Sequence, residues 1–568
     1  MGATITRKNW CFGTRNPLAR ALAFTCSVFF LGVFLFRSEA ADVRTALLKT
    51  AASAKEAVTS QRPLNSYYNE GLGNGQDTPV EKWEGADLEP TKADVTNSSR
   101  TPRMECGYDM DRLRDWQKKY RLQPKFEYVK RYVQVSRQNI PRKSMTKLQQ
   151  QFLPNFMKVV DTRKTYHAEE CPEPLAVPVT MSPFPKTANV SDFMFGVSTT
   201  YQRFTDPRTS PVKEWTYWLT DGRGTSNGGK LIVMLINASD DDLEQASTQL
   251  RAAGIDANIF RSNPSMPMAV RYLTLVPTMY YHPATSTKRW LVTADDDTFF
   301  PSMHALTEQF EQYDHTQPMY IGTLSEDTQQ TARHGPSAFG GAGVFLSVPM
   351  AHLIASNYDT CRSDAAVRAA DSGWGPQGDI LLRRCIYDHS DVRLTLLHSL
   401  WQLDLYGDPS GFYESGIKPL SLHHYRGGGW HVAHPWHYTK VASVCGEDCT
   451  LQRFQTSDNF VMANGFSVAY YPRGIDFDMN QFERTFAPAP EDKGWNLDYS
   501  MGPQRPALHG TGRKVSWDLQ EAAVQADGSV SQVYVRKHDD WRWKNPGGSW
   551  MSDVDGVMEL VWLPEGRE

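Results

Sequence analysis

The stretch Trp290–Phe300 reads WLVTADDDTFF. An apolar run, Trp290 to Thr293, leads into three consecutive carboxylates, Asp295, Asp296 and Asp297, and Phe299 and Phe300 close it. The run predicts a buried strand. Like charges held side by side raise each other's pKa, so three adjacent carboxylates are costly unless something neutralises them. A hard divalent cation does so, and oxygen ligands suit magnesium or manganese. A solvated acidic turn is the plain alternative. Open α/β sheets bind ligands outside the carboxyl ends of their strands, which favours the metal site.

Upstream of this stretch, strands alternate with helices. Phe193–Ser198 (FMFGVS, followed by Thr199 and Thr200) and Lys230–Ile236 (KLIVMLI) are apolar runs of strand length, and Ala257–Arg261 forms a shorter one. Leu243–Ala253 and Met268–Tyr281 have helical spacing. This alternation predicts an α/β fold with a mostly parallel sheet covered on both faces. No Walker or Rossmann glycine loop occurs, which argues against a kinase or a dehydrogenase.

Downstream, Met319–Leu324 reads as a strand. In Phe339–Ser347 (FGGAGVFLS), Gly340, Gly341 and Gly343 permit a close approach to a ligand or a tight turn. A bulged strand explains them equally well. Trp374–Cys385 (WGPQGDILLRRC) places Asp379 at the start of an apolar helical run. Such a carboxylate caps the helix or serves as a general base, and both readings stay open. Leu420–Trp430 (LSLHHYRGGGW) brings His423 and His424 ahead of three glycines, with His431, His434 and His437 close behind. Two histidines so placed are metal-ligand candidates.

The 568 residues allow two or three domains, and a hydrophobic content of 40% gives them real cores. The net charge of -4 gives no sign of a nucleic-acid partner. Residues 1–20 carry Arg7, Lys8, Arg15 and Arg20 and no acid, and Ala21–Phe36 follows without a charge. A helix of that length spans about 24 Å, short against a hydrocarbon core of about 30 Å, though early secretory membranes are thinner. The basic flank predicts a cytosolic tail (1–20), an uncleaved signal anchor (21–36) and a lumenal remainder. A signal peptide cleaved near Ser38-Glu39-Ala40 is the rival reading. Residues 37–190 read as a flexible stem and a basic pre-domain, with helical stretches at Asp109–Tyr120 and Met145–Val160. The basic run from Lys118 to Lys147 reads as a solvated face.

Residues 191–454 form the expected α/β domain, and 455–568 a β-rich accessory region. Its strands are expected at Phe466–Tyr471, Val515–Asp518, Ser531–Val535 and Val557–Trp562. The tryptophans concentrated there, at 495, 517, 541, 543, 550 and 562, serve core packing or sugar stacking. Glycosylation sequons at Asn97, Asn189 and Asn237 fit a lumenal glycoprotein. Six of the eight cysteines follow the apolar run, enough for up to three disulfides, with Cys445 and Cys449 close enough for a local loop.

The ordered set VTADDDTFF, GGAGVFLS, GPQGDILLRRC, LDLYGDPSGFYES and PLSLHHYRGG resembles the fringe-like glycosyltransferases of family 31, in particular a fungal and plant branch described mainly as a domain of unknown function. The resemblance covers roughly residues 190–440. It implies a GT-A nucleotide-sugar-binding fold in a single-pass type II Golgi membrane protein. It also implies a UDP-sugar donor, Mn2+ (or Mg2+), and inverting transfer of a hexosyl or N-acetylhexosaminyl group to a glycan or glycoprotein acceptor, commonly as a β1,3 linkage. Asp295–Asp297 match the family's Asp-x-Asp motif. Asp297 is then the direct metal ligand, and Asp295 or Asp296 contacts the ribose or the metal shell. Asp379 matches the proposed base, and Thr199, Gly340, Gly341 and Gly343 fall in the donor and acceptor cleft. Relatives carry His-Gln before the Asp-x-Tyr-Gly segment. Here Trp401-Gln402 stands in that place, so His423 or His424 supplies the imidazole. A membrane-anchored lectin-like or scaffolding protein that keeps the fold without turnover is the competing class.

Overall fold

Three apolar runs, Phe193–Thr200 (β1), Lys230–Ile236 (β2) and Trp290–Ala294 (β4), lie side by side and are almost wholly buried. Strands covered on both faces carry near-continuous apolar sequence rather than alternation. With Ala257–Ser262 (β3), Tyr320–Gly322 (β5), Val344–Ser347 (β6) and Thr395–Leu396 (β7) they form a seven-stranded sheet in the order β7-β5-β6-β4-β1-β2-β3. The pairings β1–β2, β1–β4, β2–β3 and β5–β7 are parallel, and β6 runs antiparallel to both neighbours. The expected mostly parallel sheet is therefore present. The computed structural model describes residues 104–476 and 508–565, apart from 156, 168–169, 406–408 and 427–430. The expected tail and anchor, the stem as far as 103, the Asn97 sequon and Trp495 lie outside the described residues. Among the described residues no helix is long and apolar enough to cross a membrane.

Local chemistry sets the helices around this sheet. Asp240–Ala252 starts on a capping box in which Ser239 and Asp242 satisfy each other's backbone N–H groups. Met268–Tyr280 is buried along most of its length and packs against Gly378–His389, the helix that begins with the Asp379 turn. Asn189 and Asn237 are exposed, as acceptor sites for glycans must be.

A second sheet has ten strands and joins the two ends of the described chain. Arg453–Gln455, Phe460–Ala463, Ser467–Tyr470, Val515–Val524, Val530–Arg536 and Gly556–Leu563 form an antiparallel meander. The last of these pairs in parallel with Lys125–Gln138. The β-rich C-terminal region is thus present, and the segment ahead of the α/β domain completes its sheet. One apolar core runs through both sheets, taking Phe195, Val233 and Val292 from the smaller and Val177, Trp517 and Trp562 from the larger. Trp517, Trp543 and Trp562 are buried, whereas Trp541 and Trp550 are exposed.

The helix Met110–Lys119 forms as expected, but the helix expected over Met145–Val160 does not. Met145–Lys147 pairs instead with Arg453–Gln455, Lys158–Asp161 pairs with Lys125–Tyr128, and the Asp458 carboxylate accepts from Phe152 N–H (2.9 Å) and Leu153 N–H (3.0 Å). These partners lie roughly three hundred residues away or across the sheet, beyond the reach of local spacing, and Pro154 cannot sit inside a helix without losing a hydrogen bond. Nor is the basic run only a solvated face. Arg131 is buried and donates Nε–H to the Phe152 carbonyl (3.0 Å).

All six cysteines of this region pair: Cys106–Cys171, Cys361–Cys385 and Cys445–Cys449, with Cα atoms 5.2, 5.2 and 6.0 Å apart. A buried ion pair between Lys514 and Glu414 ties the larger sheet to the turn at Ser410–Tyr413, and Ser467 Oγ donates to the same carboxylate. Removing one partner of such a pair leaves an uncompensated charge in the core. Lys514→Met is expected to destabilise the protein by about 3 kcal/mol or more. Denaturant unfolding reads this out, and an unchanged midpoint would show that the pair does not hold the two parts together.

Candidate active site

β4 delivers the acidic stretch to the end of the sheet and then turns. Asp295 N–H donates to Thr298 Oγ1 (3.0 Å), and Thr298 Oγ1 donates to the Gly341 carbonyl (2.7 Å). Phe299 next pairs with Leu422 through two backbone hydrogen bonds of 2.8 Å. That short bridge carries His423 to the carboxylates. His423 Nε2 lies 3.0 Å from Asp297 Oδ1 and 3.4 Å from Asp295 Oδ2. One ligand atom from each of the three residues falls within 4.8 Å of the others. Two carboxylate oxygens and one imidazole nitrogen suit manganese or magnesium with open positions for further oxygen ligands.

The electrostatics fit a cation at this point. Burial pulls the His423 imidazolium down, but the Asp297 charge and the hydrogen bonds to Asp295 and Asp297 outweigh it, and the pKa is pushed up to about 10. Burial pushes the Asp297 carboxyl up, and the charge of His423, with Arg426 and His424 adding to it, holds it well below the ordinary carboxylate range instead. The carboxylates thus impose a field strong enough to keep a buried ring charged, and a divalent ion meets the same field.

Asp296 turns the other way. It accepts from Arg203 Nε (2.7 Å) and Nη2 (2.5 Å) and from Thr199 Oγ1. Arg203 sits on the short helix Tyr201–Thr205, which continues directly from β1 and is capped by Thr200. Thr199 therefore meets the site through Asp296. His424 has a φ of 51°, a left-handed conformation unusual for a residue with a side chain. In a regular strand successive side chains point to opposite faces. This turn instead sets the His423 and His424 rings together, 3.9 Å between centroids. His424 Nδ1 is 2.7 Å from Asp404 Oδ1, and His424 stands outside the three-residue cluster. Asp404 in turn is held by Ser325 Oγ and donates its N–H to Glu326 Oε2 (3.1 Å). Burial, with the Asp404 charge adding to it, pushes the Glu326 carboxyl up to about 8.

Asp379 occupies the first turn of Gly378–His389 and accepts from Ile380 N–H (2.8 Å). It borders the same cleft as Asp295, His423, Gly340, Gly341 and Gln402. Burial raises the Asp379 carboxyl above its ordinary range, with the Asp295 charge adding to this and the His334 charge opposing it. The hydrogen bond that the carboxylate accepts from Ile380 N–H works against this rise and does not overcome the burial.

Gly340 and Gly341 line the cleft, while Gly343 faces the Phe345 and Phe300 rings behind it. A Cβ at Gly341 would stand 2.2 Å from the His423 ring, and one at Gly378 2.5 Å from Tyr272 Cβ. His423 has little room to retreat, because it is buried. Gly341→Ala is expected to lower Mn2+ affinity about 10- to 100-fold, the scale of lost ligand support. Calorimetric titration checks it, and an unchanged affinity would show that His423 takes no part in binding.

Several neighbours escaped the sequence reading. Trp401 packs on Phe412 while Gln402 faces the cleft. His423, and not the Trp401-Gln402 pair, stands beside the Asp295 and Asp297 carboxylates. Tyr272, whose hydroxyl is 2.8 Å from Thr293 Oγ1, forms the cleft floor. Arg203 and Glu326 carried no local signal beyond being single charged residues, and Asp404 was marked only as part of the LDLYGDPSGFYES stretch. His431 and His437 are drawn elsewhere, to the Tyr413 hydroxyl (2.9 Å) and the Ala522 N–H (3.0 Å).

The chain is similar to several solved structures. They include the galactosyltransferase LgtC with donor and acceptor sugar analogues, at 11% identity, covering 36% of this chain and 73% of that one, with a TM-score of 0.25. Mouse xyloside xylosyltransferase 1 in its apo form gives 12% identity, 36% and 85% coverage and a TM-score of 0.24. The mannosyltransferase PcManGT from Pyrobaculum calidifontis, with GDP-Man and Mn2+, gives 10% identity, 38% and 59% coverage and a TM-score of 0.23. No curated protein matches the chain. The family model described as Fringe-like matches residues 189–405, a span that holds the whole seven-stranded sheet, the three aspartates and Asp379.

Proposed function

We propose that the chain is a glycosyltransferase that takes a sugar from a nucleotide donor with a divalent ion and transfers it, with inversion, to a hydroxyl of a glycan acceptor. The observation that carries this reading is the convergence of Asp295, His423 and Asp379 on one cleft. When bound, a divalent ion supplies the positive charge that a departing nucleoside diphosphate needs. Asp295, Asp297 and His423 are the residues that would hold it. Asp379 takes the proton from the acceptor hydroxyl as that oxygen attacks the anomeric carbon from the opposite face. Arg203 and Thr199 fix Asp296, and so the turn that aims its two neighbours. Tyr272 and the glycines of the cleft keep the backbone close to the reacting groups.

The finer assignment follows the family resemblance: a GT-A fold, UDP as the nucleotide, manganese as the ion and a β1,3 linkage. The three disulfides, the two exposed sequons and the apolar run at 21–36 support a lumenal domain anchored in the Golgi membrane. A donor screen by nucleotide release, with and without Mn2+, tests the proposal. It predicts release from one UDP-sugar that rises with an acceptor and stops with a chelator. A glycosidase using two carboxylates would be indifferent to chelation. Glycan binding with no metal-dependent donor binding would favour the lectin-like alternative.

A further inference from the structure

The cleft has two arms that share Asp295, His423 and His424. One arm carries Thr199, Arg203 and Asp296. The other carries Asp379, and on its rim stand two large apolar side chains left open to solvent, Trp374 (65% exposed) and Met268 (53% exposed). An exposed tryptophan on a loose loop would be unremarkable, but this loop is built. Asp371 Oδ1 accepts from Gly373 N–H (2.7 Å) and Gly375 N–H (2.9 Å), and Asp371 pairs with Pro376 across the loop. Gln377 Nε2 donates to the Gly375 carbonyl (3.0 Å). The Arg333 guanidinium lies 4.0 Å from the Trp374 ring centroid and covers one face of the ring. The indole is therefore held from below by its loop and from one side by Arg333, and most of its surface remains free beside Asp379.

We propose that Trp374 is the stacking platform for the acceptor sugar, a pyranose that lays its C–H face on the indole and presents a hydroxyl to Asp379. The assignment rests on the transferase reading above. The aromatic face is electron-rich and attracts the partly positive C–H bonds of a sugar ring, while the ring hydroxyls stay free for polar contacts. Position decides between donor and acceptor. A diphosphate held through a cation at Asp295, Asp297 and His423 lies toward the Arg203 arm, the arm that Asp297 lines. The attacking hydroxyl must come from the opposite side of the anomeric carbon, where Asp379 and Trp374 stand five residues apart in sequence.

Saturation-transfer NMR on the full chain with UDP and Mn2+, using methyl β-D-galactopyranoside, methyl β-D-glucopyranoside and methyl N-acetyl-β-D-glucosaminide as probes, tests this. At least one glycoside is expected to bind wild type with saturation concentrated on one C–H face. Trp374→Ala should weaken that binding about tenfold or more, and Trp374→Phe, which keeps an aromatic face, should retain most of it. UDP affinity should be the same in all three proteins. Equal glycoside binding by wild type and Trp374→Ala, or none by wild type, overturns the platform. UDP titration with and without Mn2+ on the same samples separates the two readings: if wild type shows no metal-dependent UDP binding, the transferase assignment fails, whatever the glycosides do.

Discussion

Replacing Asp297 by Ala is expected to abolish metal-dependent donor binding. Asp297 is the carboxylate nearest to His423, at 3.0 Å, and it is the more buried of the two acidic members of the cluster. Without it, the remaining pair is His423 and Asp295 at 3.4 Å, and a cation there keeps a single carboxylate ligand to balance its charge. The loss of UDP affinity in the presence of Mn2+ should exceed the roughly 10- to 100-fold typical of removing a supporting group. Titration calorimetry with and without Mn2+ gives the result directly. Asp241→Asn, at an exposed carboxylate on the helix Asp240–Ala252, is the control. If Asp297→Ala kept a manganese-dependent UDP affinity like that of wild type, the cluster would not be the metal site.

Asp379→Asn is expected to leave donor binding intact and to remove transfer. The amide keeps the shape of the side chain and cannot take a proton at neutral pH. General-base contributions are about 100- to 10,000-fold, so kcat should fall on that scale while the Kd for UDP stays constant. The wild-type profile adds a second check. Burial raises the Asp379 carboxyl, and the base acts only when deprotonated. Transfer should therefore decline on acidification at a pH above that of an exposed carboxylate, and the asparagine variant should lack this limb. Near-normal transfer by Asp379→Asn would move the base elsewhere in the cleft.

The apolar strands were legible because burial on both faces demands uninterrupted hydrophobic residues, and β2 runs over Lys230–Ile236 as expected. The meander at 515–563 was legible as short strands separated by turn-rich segments. The segment 145–160 was not, because its hydrogen-bond partners at 453–458 stand far along the chain. In the site, three adjacent aspartates marked a candidate cation site. Glu326 announced nothing, since a single carboxylate shows its role only when its neighbours are known, and the LDLYGDPSGFYES stretch marked Asp404 without showing its partner His424.

The sequence by itself determined the alternation of strands and helices, the acidic end of β4, and the place of Asp379 at a helix start, because each depends on residues within a few positions of one another. Which histidine joins the carboxylates depended on the bridge between Phe299 and Leu422, which sets His423 on Asp295 and Asp297 and leaves His424 to Asp404. That Asp379 lies buried in the same cleft as Asp295 and His423 depended on how its helix packs. Both are properties of packing between segments more than eighty residues apart, and only the tertiary structure decided them.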